Sequence, residues 1–226
     1  MGKRTAILFG AKGLVGSHLL EILIKEEEYT KIVLFNRKPV KAVHSVTPKI
    51  EEIITDFSDL KQLEGYGKGS DLFCCLGTTI RKAKTKESFR QVCFDLPVVI
   101  ASIASRKPFN RFVFISSIGA NAESRNFYLR TKGEMEQAVR GILGEKVFIV
   151  RPSMLLGKRN EYRFGEILGK WFSFLISPVL IGKLSRIKGI QAADLARAMT
   201  YIALHGSESR IVESDQLQKI SKMYRV

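Results

Sequence analysis

The amino-acid sequence predicts an α/β protein built on a doubly wound parallel sheet. Two observations carry this prediction: short apolar runs alternate with segments of helical periodicity, and the first run leads directly into spaced glycines and a helix. No internal repeat, low-complexity linker or change of composition divides the chain. We therefore expect residues 1–226 to form a single domain, in which about residues 152–190 form a small lid or substrate segment.

The sheet is expected from six short apolar runs. The candidate strands are Thr5–Phe9, Lys31–Phe35, Ile50–Ile54, Asp71–Cys75, Arg111–Ser116 and Lys146–Val150. Apolar strands joined by helical crossovers are typical of a parallel sheet covered on both faces. After the sixth strand enough chain remains for a lid, two or three helices and an edge strand.

Helical periodicity marks four further segments. The candidate helices lie near Val15–Glu27, Lys86–Ser105, Asn126–Leu143 and Ala192–Leu204. Apolar residues recur at helical spacing in the last two and predict core-facing stripes. These residues are Met135, Val139 and Ile142 in one helix, and Leu195, Met199 and Ile202 in the other.

The composition limits the classes of partner. The 226 residues carry a formal net charge of +15, which favours an anionic partner. Nucleic acid or anionic lipid is one interpretation, and a phosphate-bearing cofactor is another. The cations are spread along the chain, with modest clusters at Arg81–Lys86 and Lys183–Lys188, and no aromatic platform or helix-turn-helix pattern accompanies them. Nucleic acid is therefore the less favoured partner.

Other features bear on the compartment and on metals. The longest apolar stretch, Trp171–Ile181, is too short to cross a bilayer, and the N-terminus has no signal-peptide cleavage pattern. Cys74, Cys75 and Cys93 form no even disulfide framework, and the three histidines have no metal-ligand spacing. We therefore expect a cytoplasmic protein without a transmembrane segment or a metal site.

The stretch ILFGAKGLVGSHLLEIL predicts a dinucleotide site. Gly10, Gly13 and Gly16 follow the first strand, and a helix begins at once. Glycine permits a tight turn and lets the backbone approach a pyrophosphate, which meets the free N–H groups of the helix N-terminus. The spacing departs from the commoner Gly-x-Gly-x-x-Gly, and a glycine turn without a ligand is the alternative. The other residues that we assign to this turn's cofactor contacts are Lys12, Leu14 and Val15.

The end of the second strand favours NADP over NAD. Sites that prefer NAD place Asp or Glu there to bind the ribose hydroxyls, whereas this strand ends in Asn36, Arg37 and Lys38. The two cations would attract a 2′-phosphate that an acid would repel. The alternative is that they are only solvated loop residues.

Two more strand ends carry candidate cofactor contacts. Asp56 follows the third strand and would accept from the adenine amino group, with Phe57 flanking the ring; the alternative is that Asp56 caps a helix. Leu76 and Gly77 follow the fourth strand in FCCLGTT, where glycine would let the backbone lie against the cofactor.

Candidate catalytic side chains follow the fifth strand. Ser116 and Ser117 end that strand, Tyr128 lies eleven residues after Ser117, and Lys132 follows Tyr128 by one helical turn. Ligands of a doubly wound sheet bind beyond the carboxyl ends of its strands, so these side chains are expected near the far end of the cofactor. Tyr128 and Lys132 are either a proton-transfer pair or two neighbours on one helix face.

These motifs, in this order on these elements, resemble the short-chain dehydrogenase/reductase superfamily. The segments FCCLGTT, SSIGA, NFYLRTKGEME and RPSMLLGKR resemble its atypical branch of Tat-interacting-protein-like oxidoreductases. The likeness runs from about Thr5 to Arg163. It implies a Rossmann fold of strand order 3-2-1-4-5-6 with bound NADP(H).

The resemblance also implies roles for single residues. Tyr128 would act as the acid/base, Lys132 would bind the nicotinamide ribose, and Ser117, helped by Ser116, would bind the substrate oxygen. A lysine one turn away and the charge of an oxidised nicotinamide favour the phenolate, and a serine hydroxyl stabilises the developing oxyanion. Further cofactor contacts are expected after the sixth strand, at Pro152, Leu155 and Arg163.

The sequence therefore predicts an NADP-dependent oxidoreductase that transfers hydride between nicotinamide and a small or medium carbonyl or alcohol substrate. One alternative is a non-catalytic NADP(H)-sensing protein that changes protein partners, and a less favoured one is a polyanion-binding protein. Asp95 stands where many members of the superfamily carry an asparagine of the proton relay, and this departure bears on the choice. A homo-oligomer stays open.

The last third of the chain carries less specific signals. The residues Trp171–Ile176 are almost continuously apolar, and they are interpreted as core or subunit contact, as a lid around the substrate, or as a surface anchor in lipid. Asp194, near the start of the last predicted helix, is expected to be structural.

Overall fold

The computed structural model describes residues 3–40, 47–157 and 189–224. Nine strands lie in these ranges: β1 Arg4–Phe9, β2 Tyr29–Asn36, β3 Ile50–Ile54, β4 Ser70–Cys74, β5 Arg111–Ile115, β6 Val147–Arg151, β7 Leu155–Leu156, β8 Ile190–Gln191 and β9 Ile211–Glu213. Seven of them form a parallel sheet in the order β3-β2-β1-β4-β5-β6-β9, and β7 pairs with β8 separately. The predicted fold class and strand order are confirmed, and β9 is the expected edge strand.

Helices cover both faces of this sheet. Those in the described ranges are α1 Leu14–Lys25, α2 Ile80–Ala83, α3 Lys86–Arg90, α4 Leu96–Ala104, α5 Phe127–Leu143, α6 Ala192–His205 and α7 Ser214–Met223. One hydrophobic cluster joins α1, α6 and α7 to the sheet, and a second joins α4 and α5 to its other face. The strands are apolar without alternation because both of their faces are buried.

The predicted core stripes are confirmed. Met135 and Val139 of α5 are buried, and Ile142 packs against the same cluster at partial burial. The three stripe residues of α6 are fully buried as well: Leu195, Met199 and Ile202. Helical periodicity therefore identified the inward faces of both helices correctly.

One predicted helix is interrupted. The sequence predicts a single helix over Lys86–Ser105, but a π-helical segment, Gln91–Asp95, lies between α3 and α4. Pro97, in the first turn of α4, has no N–H to donate, and its ring clashes with a carbonyl four residues earlier in a regular helix. The wider turn accommodates this break, and it changes which side chains of the segment face inward.

A buried charged cluster closes the amino edge of the sheet. Asp71 is fully buried at the start of β4, and one of its oxygens accepts from Arg4 at 3.1 Å and from the Tyr29 hydroxyl at 3.0 Å. Arg4 and Arg111 both donate to the carbonyl oxygen of Ala203, at 3.2 and 2.6 Å, which attaches α6 to this edge. Burial, followed by the negative charge of Asp71, raises the pKa of Tyr29 well above its usual range.

The expected lid is outside this description. Apart from residues 152–157 and 189–190, the segment of residues 152–190 lies outside the described ranges, and with it Arg163 and the apolar residues Trp171–Ile176. Among the helices that are described, none is long and apolar enough to cross a membrane.

Candidate functional site

The glycine turn after β1 is shaped by two close approaches. Gly10 has φ +86°, and a Cβ at this position would lie 3.0 Å from the Cys75 carbonyl. A Cβ on Gly16 would lie 2.1 Å from the Gly10 carbonyl oxygen, so α1 packs directly on the turn. Any larger residue at either position would displace backbone, which explains why the sequence has glycine at both.

This turn leaves the start of α1 ready for an anion. Gly13 is the N-cap and provides no side-chain acceptor, and the first turn of the helix carries no acidic residue. The N–H groups of Leu14, Val15 and Gly16 therefore have no acceptor among the described residues. Unpaired N–H groups and the positive end of the helix dipole together favour a phosphate at this place.

Cations gather beside the glycine turn. The Lys12 ammonium donates to the Pro39 carbonyl oxygen at 3.2 Å, and so joins the turn to the loop that carries Arg37 and Lys38. Arg37 and Lys38 are exposed, and within the described ranges neither forms an ion pair. The bond from Lys12 thus connects the glycine turn to the loop that carries the other two cations, which follow a different strand in the sequence.

At the end of β2, within the described part of the chain, no carboxylate is available to bind ribose hydroxyls. Asn36 is buried there and donates its amide to Glu52 at 2.9 Å. The same oxygen of Glu52 accepts from the Val40 N–H at 2.9 Å, so this carboxylate supports the loop from the neighbouring strand.

The residues after β3 have structural roles. Asp56 accepts from both the backbone N–H and the hydroxyl of Ser58, at 2.8 and 2.6 Å, and these bonds lower its pKa. Asp56 therefore stabilises its own turn and caps no helix, since the next helical segment begins at Lys61 with Leu60 as its N-cap. The ring of Phe57 is buried in the core, which corrects the expectation that it flanks an adenine.

The end of β4 lies against the glycine turn. The backbone of Cys75 and Leu76 is in contact with Gly10, so the predicted contacts of these two strand ends are adjacent in space. Gly77 is exposed, and a Cβ there would meet nothing within 4 Å. This side of Gly77 is open, so the structure leaves room there and does not itself require glycine.

Lys132 carries a buried positive charge near the carboxyl edge of the sheet. Only 5% of the residue is exposed, and its ammonium donates to the Ile115 carbonyl oxygen at 3.2 Å, at the end of β5. No carboxylate of the described residues lies within ion-pair distance of it. Burying an ammonium without a counter-charge costs free energy, so this arrangement points to a ligand that shares the site.

The two serines follow the carbonyl that Lys132 contacts. Ser116 is 4% exposed, and its hydroxyl has no hydrogen-bond partner. The Ser117 hydroxyl donates to the Ile118 carbonyl oxygen at 3.3 Å, a long bond that is easily exchanged for a substrate oxygen. The predicted serines and lysine are therefore brought to the same strand end.

Tyr128 is placed by a well-defined helix start. Asn126 caps α5 by accepting from the N–H groups of Tyr128 and Leu129, at 3.0 and 3.2 Å. The Tyr128 ring packs against Phe89, with centroids 5.5 Å apart, and its hydroxyl has no partner among the described groups. One helical turn separates Tyr128 from Lys132, so both side chains lie on the same face of α5.

The structure revises the position of Asp95. Asp95 is exposed at the end of the π-helical segment, whereas Cys93 is buried and its thiol contacts the Thr78 carbonyl oxygen. The inward position of this segment is therefore occupied by a small thiol and not by a carboxylate. The prediction that Asp95 takes the place of a relay asparagine does not fit this geometry.

The predicted contacts after β6 differ in character. The Pro152 carbonyl oxygen accepts from the Ile118 N–H at 3.1 Å, which fixes the loop that follows Ser117. Leu155 is partly buried and packs on the core from β7. Arg163 is outside the described residues.

Sequence reasoning missed a buried ion pair close to these residues. Arg151, at the end of β6, donates to both carboxylate oxygens of Glu136, at 3.0 and 2.5 Å. It also donates to Glu213 at 3.2 Å and to the Ala120 carbonyl oxygen at 3.1 Å. The signal was present, because Glu136 follows Lys132 by one helical turn and Arg151 ends an apolar strand.

Taken together, the fold and this edge define a dinucleotide-binding protein, and the comparison with known families agrees. The family described as NAD(P)H-binding matches residues 10–175, more than half of the chain, and the protein belongs to this family. The match includes the glycine turn and both candidate catalytic residues of α5.

Particular relatives refine this class. The chain is 31% identical over 173 residues to Protein HTATIP2 of Rattus norvegicus, which covers 76% of this chain and 71% of the relative. It is 34% identical over 228 residues to Protein FMP52, mitochondrial, of Meyerozyma guilliermondii, which covers 97% and 96%. The resemblance to the atypical branch of the short-chain dehydrogenase/reductase superfamily is thereby confirmed.

Solved structures show the same fold. MoeE5 in complex with UDP-glucose and NAD superposes with a TM-score of 0.65 at 15% identity, over 98% of this chain and 81% of that one. UDP-glucuronic acid 4-epimerase from Bacillus cereus, in complex with NAD, gives a TM-score of 0.64 at 14% identity, over 92% and 77%. At this identity the likeness concerns the fold alone.

Proposed function

We propose that this protein is an NADP(H)-dependent oxidoreductase that transfers hydride between the nicotinamide and a carbonyl or alcohol substrate. The observation that carries the proposal is the buried, uncompensated ammonium of Lys132, one helical turn from Tyr128 and beside the unpartnered hydroxyl of Ser116. A ribose hydroxyl and a phenol oxygen are suitable acceptors for such an ammonium.

In the proposed reduction, the serines, the tyrosine and the lysine have different tasks. Bound NADPH supplies the hydride. Ser116 and Ser117 donate hydrogen bonds to the carbonyl oxygen as negative charge develops on it, and Tyr128 delivers a proton to that oxygen. Lys132 holds the ribose and stabilises the phenolate that remains after the transfer.

The cofactor preference rests on charge. Lys12, Arg37 and Lys38 surround the end of β2, where no carboxylate is available and where the adenosine ribose of a dinucleotide lies in this fold class. Three cations would bind a 2′-phosphate through charge-assisted hydrogen bonds. We therefore propose a preference for NADPH over NADH.

Titration of NADPH and NADH tests the cofactor step. We expect Arg37→Glu to weaken NADPH binding by about tenfold and to leave NADH binding nearly unchanged, because only NADPH carries the phosphate that the arginine attracts. Lys68→Glu is the matched control, since it makes the same charge change at an exposed position before β4. If both variants weaken NADPH binding equally, the effect comes from the change in net charge and not from a contact between Arg37 and the phosphate.

A carbonyl panel with NADPH tests the catalytic step. We expect Tyr128→Phe to lower turnover by about a hundredfold or more, in the range of a lost general acid, without loss of NADPH binding. Tyr66→Phe serves as the control, because its hydroxyl bonds Glu51 away from the site. Equal turnover by wild type and Tyr128→Phe would refute the role of Tyr128. Tight NADPH binding without turnover of any carbonyl would favour the non-catalytic, partner-exchanging alternative.

We propose the cytoplasm as the compartment, because Cys74, Cys75 and Cys93 are all free thiols. Several fungal relatives carry the word mitochondrial in their names. Cell fractionation of a tagged full-length chain tests this, and recovery with mitochondrial membranes would overturn it.

A further inference from the structure

Three ionisable side chains follow one another along α5 at intervals of one turn. Tyr128, Lys132 and Glu136 share a helix face, and the last two are 5% and 4% exposed. Lysine and glutamate four residues apart attract each other on a helix, and burial strengthens that attraction. An ion pair between Lys132 and Glu136 is therefore the arrangement that the spacing alone favours.

The structure shows a different pairing. Both oxygens of Glu136 are bound by the Arg151 guanidinium, while the Lys132 ammonium donates to the Ile115 carbonyl oxygen. Lysine and glutamate are not within 4.0 Å of each other, although their positions on the helix allow it. Each oxygen of the carboxylate is thus bound by a competing cation.

Arg151 is well suited to this competition. Its side chain is 18% exposed, and its planar guanidinium takes the carboxylate with two parallel bonds, which a lysine cannot do. The bond to Glu136 is the first cause of the raised pKa of Arg151. Further bonds to Glu213 and to the Ala120 carbonyl oxygen fix the guanidinium from two other directions.

We propose that Arg151 is a positioning residue that holds Glu136 away from Lys132, so that the lysine ammonium stays available for the cofactor ribose and the Tyr128 oxygen. This inference rests on the proposed function. The other titratable groups near Lys132 are Cys74, which lies close enough to feel its charge, and Tyr128, one helical turn away. Glu136 is therefore the carboxylate in the described ranges that is placed to capture it.

A cycle of variants tests the proposal through the NADPH dissociation constant, measured by calorimetry. We expect Arg151→Met to weaken NADPH binding about tenfold, because the freed Glu136 pairs with Lys132. Adding Glu136→Gln to Arg151→Met should restore affinity to within about threefold of wild type. In a Lys132→Met background, Arg151→Met should have no further effect, because the residue through which it acts is gone.

Glu213→Gln is the matched control for the cycle. It removes another carboxylate partner of Arg151, and this carboxylate lies on β9, whereas Lys132 lies on α5. We expect it to leave NADPH affinity unchanged. If Arg151→Met does not fold, Arg151→Lys replaces it, since it keeps the charge but loses the two parallel bonds; a loss of about threefold with the same recovery is then expected.

The outcomes separate this inference from the proposed function. Failure of Glu136→Gln to restore affinity, or an equal loss in the Lys132→Met background, would overturn the role of Arg151. If the wild type binds no NADPH, the proposed function is wrong. A crystal structure of Arg151→Met then decides whether Arg151 holds Glu136 away from Lys132. An ammonium of Lys132 within about 4 Å of Glu136 supports the inference, and unchanged separation overturns it.

Discussion

Two buried charges lie at opposite edges of the same sheet, and their surroundings differ. At the amino edge, fully buried Asp71 has a cation and a hydroxyl donor, Arg4 and Tyr29. At the carboxyl edge, Lys132 is almost as buried and has a single carbonyl acceptor among the described residues. A buried charge that has a counter-charge is accounted for by the fold, whereas a buried charge without one costs free energy that a ligand can offset. The contrast between the two edges is therefore the reason for proposing a ligand beside Lys132.

The largest expected effect breaks the amino-edge cluster. Asp71→Asn should lower the free energy of unfolding by about 1.5–3 kcal/mol, because it removes the charged acceptor of Arg4 and Tyr29, whereas Arg4 keeps its ion pair with Glu28 at 3.5 Å. Urea denaturation monitored by circular dichroism measures it. NADPH affinity of the folded protein should not change, since this cluster is at the edge opposite the site. A fall in NADPH affinity would show that the two edges are coupled.

The second prediction concerns Lys132 at the carboxyl edge, where a substitution should weaken cofactor binding without lowering stability. Lys132→Met should leave the free energy of unfolding of the cofactor-free protein unchanged or raise it by about 1 kcal/mol, because it removes a buried unpaired charge. It should also weaken NADPH binding by about tenfold, or about 1.4 kcal/mol. A clear loss of stability in this variant would contradict the view that Lys132 is kept for a ligand.

The third effect is a pH dependence at the amino edge. The folded-state pKa of Tyr29 is raised above its usual value of about 10, so its contribution to stability is complete below that pH and is lost as pH rises through the folded-state pKa. Tyr29→Phe should therefore reduce the alkaline fall of the free energy of unfolding by about 1.4 kcal/mol per pH unit. Tyr66, whose pKa burial raises to about 12, keeps a slope of its own. An identical slope in wild type and Tyr29→Phe above pH 10 would refute this assignment.

The smallest expected effect concerns an exposed ion pair, which serves as a reference for the buried charges. Arg106 and Glu64 form an ion pair at 3.2 Å with side chains 67% and 44% exposed. Glu64→Gln should change the free energy of unfolding by less than about 1 kcal/mol, because solvent screens an exposed pair. If this variant were as costly as Asp71→Asn, burial would not be what distinguishes the two clusters.

Local sequence signals were sufficient for the sheet and for the glycine turn. Each predicted strand is found within a few residues of its expected bounds, because a short apolar run already marks a strand that is buried on both faces. Gly10 and Gly16 were predicted from spacing, and the close backbone contacts at both explain them. Lys132 was predicted to approach the end of the fifth strand, and its ammonium bonds the Ile115 carbonyl oxygen there.

The errors share one cause. Phe57 is a core residue, Asp56 caps its own turn, and Asp95 faces solvent beyond a π-helical segment. In each case the expected role required knowing which way a side chain points after a strand end or an irregular turn. For Asp95 a π-helical segment before Pro97 decides the direction, and for Phe57 a turn in which its φ is +70° decides it; the sequence pattern marks neither irregularity.

The sequence by itself determined the order of strands and helices, the glycine turn, and the edge at which a ligand binds, because these depend on periodicity and on short-range sterics. Only the tertiary structure decided which buried charges are compensated. Arg4 meets Asp71 across 67 positions of the chain, Arg151 meets Glu136 across 15, and Lys132 meets the end of β5 across 17. Such partners are brought together by the packing of strands and helices, and no local pattern specifies them.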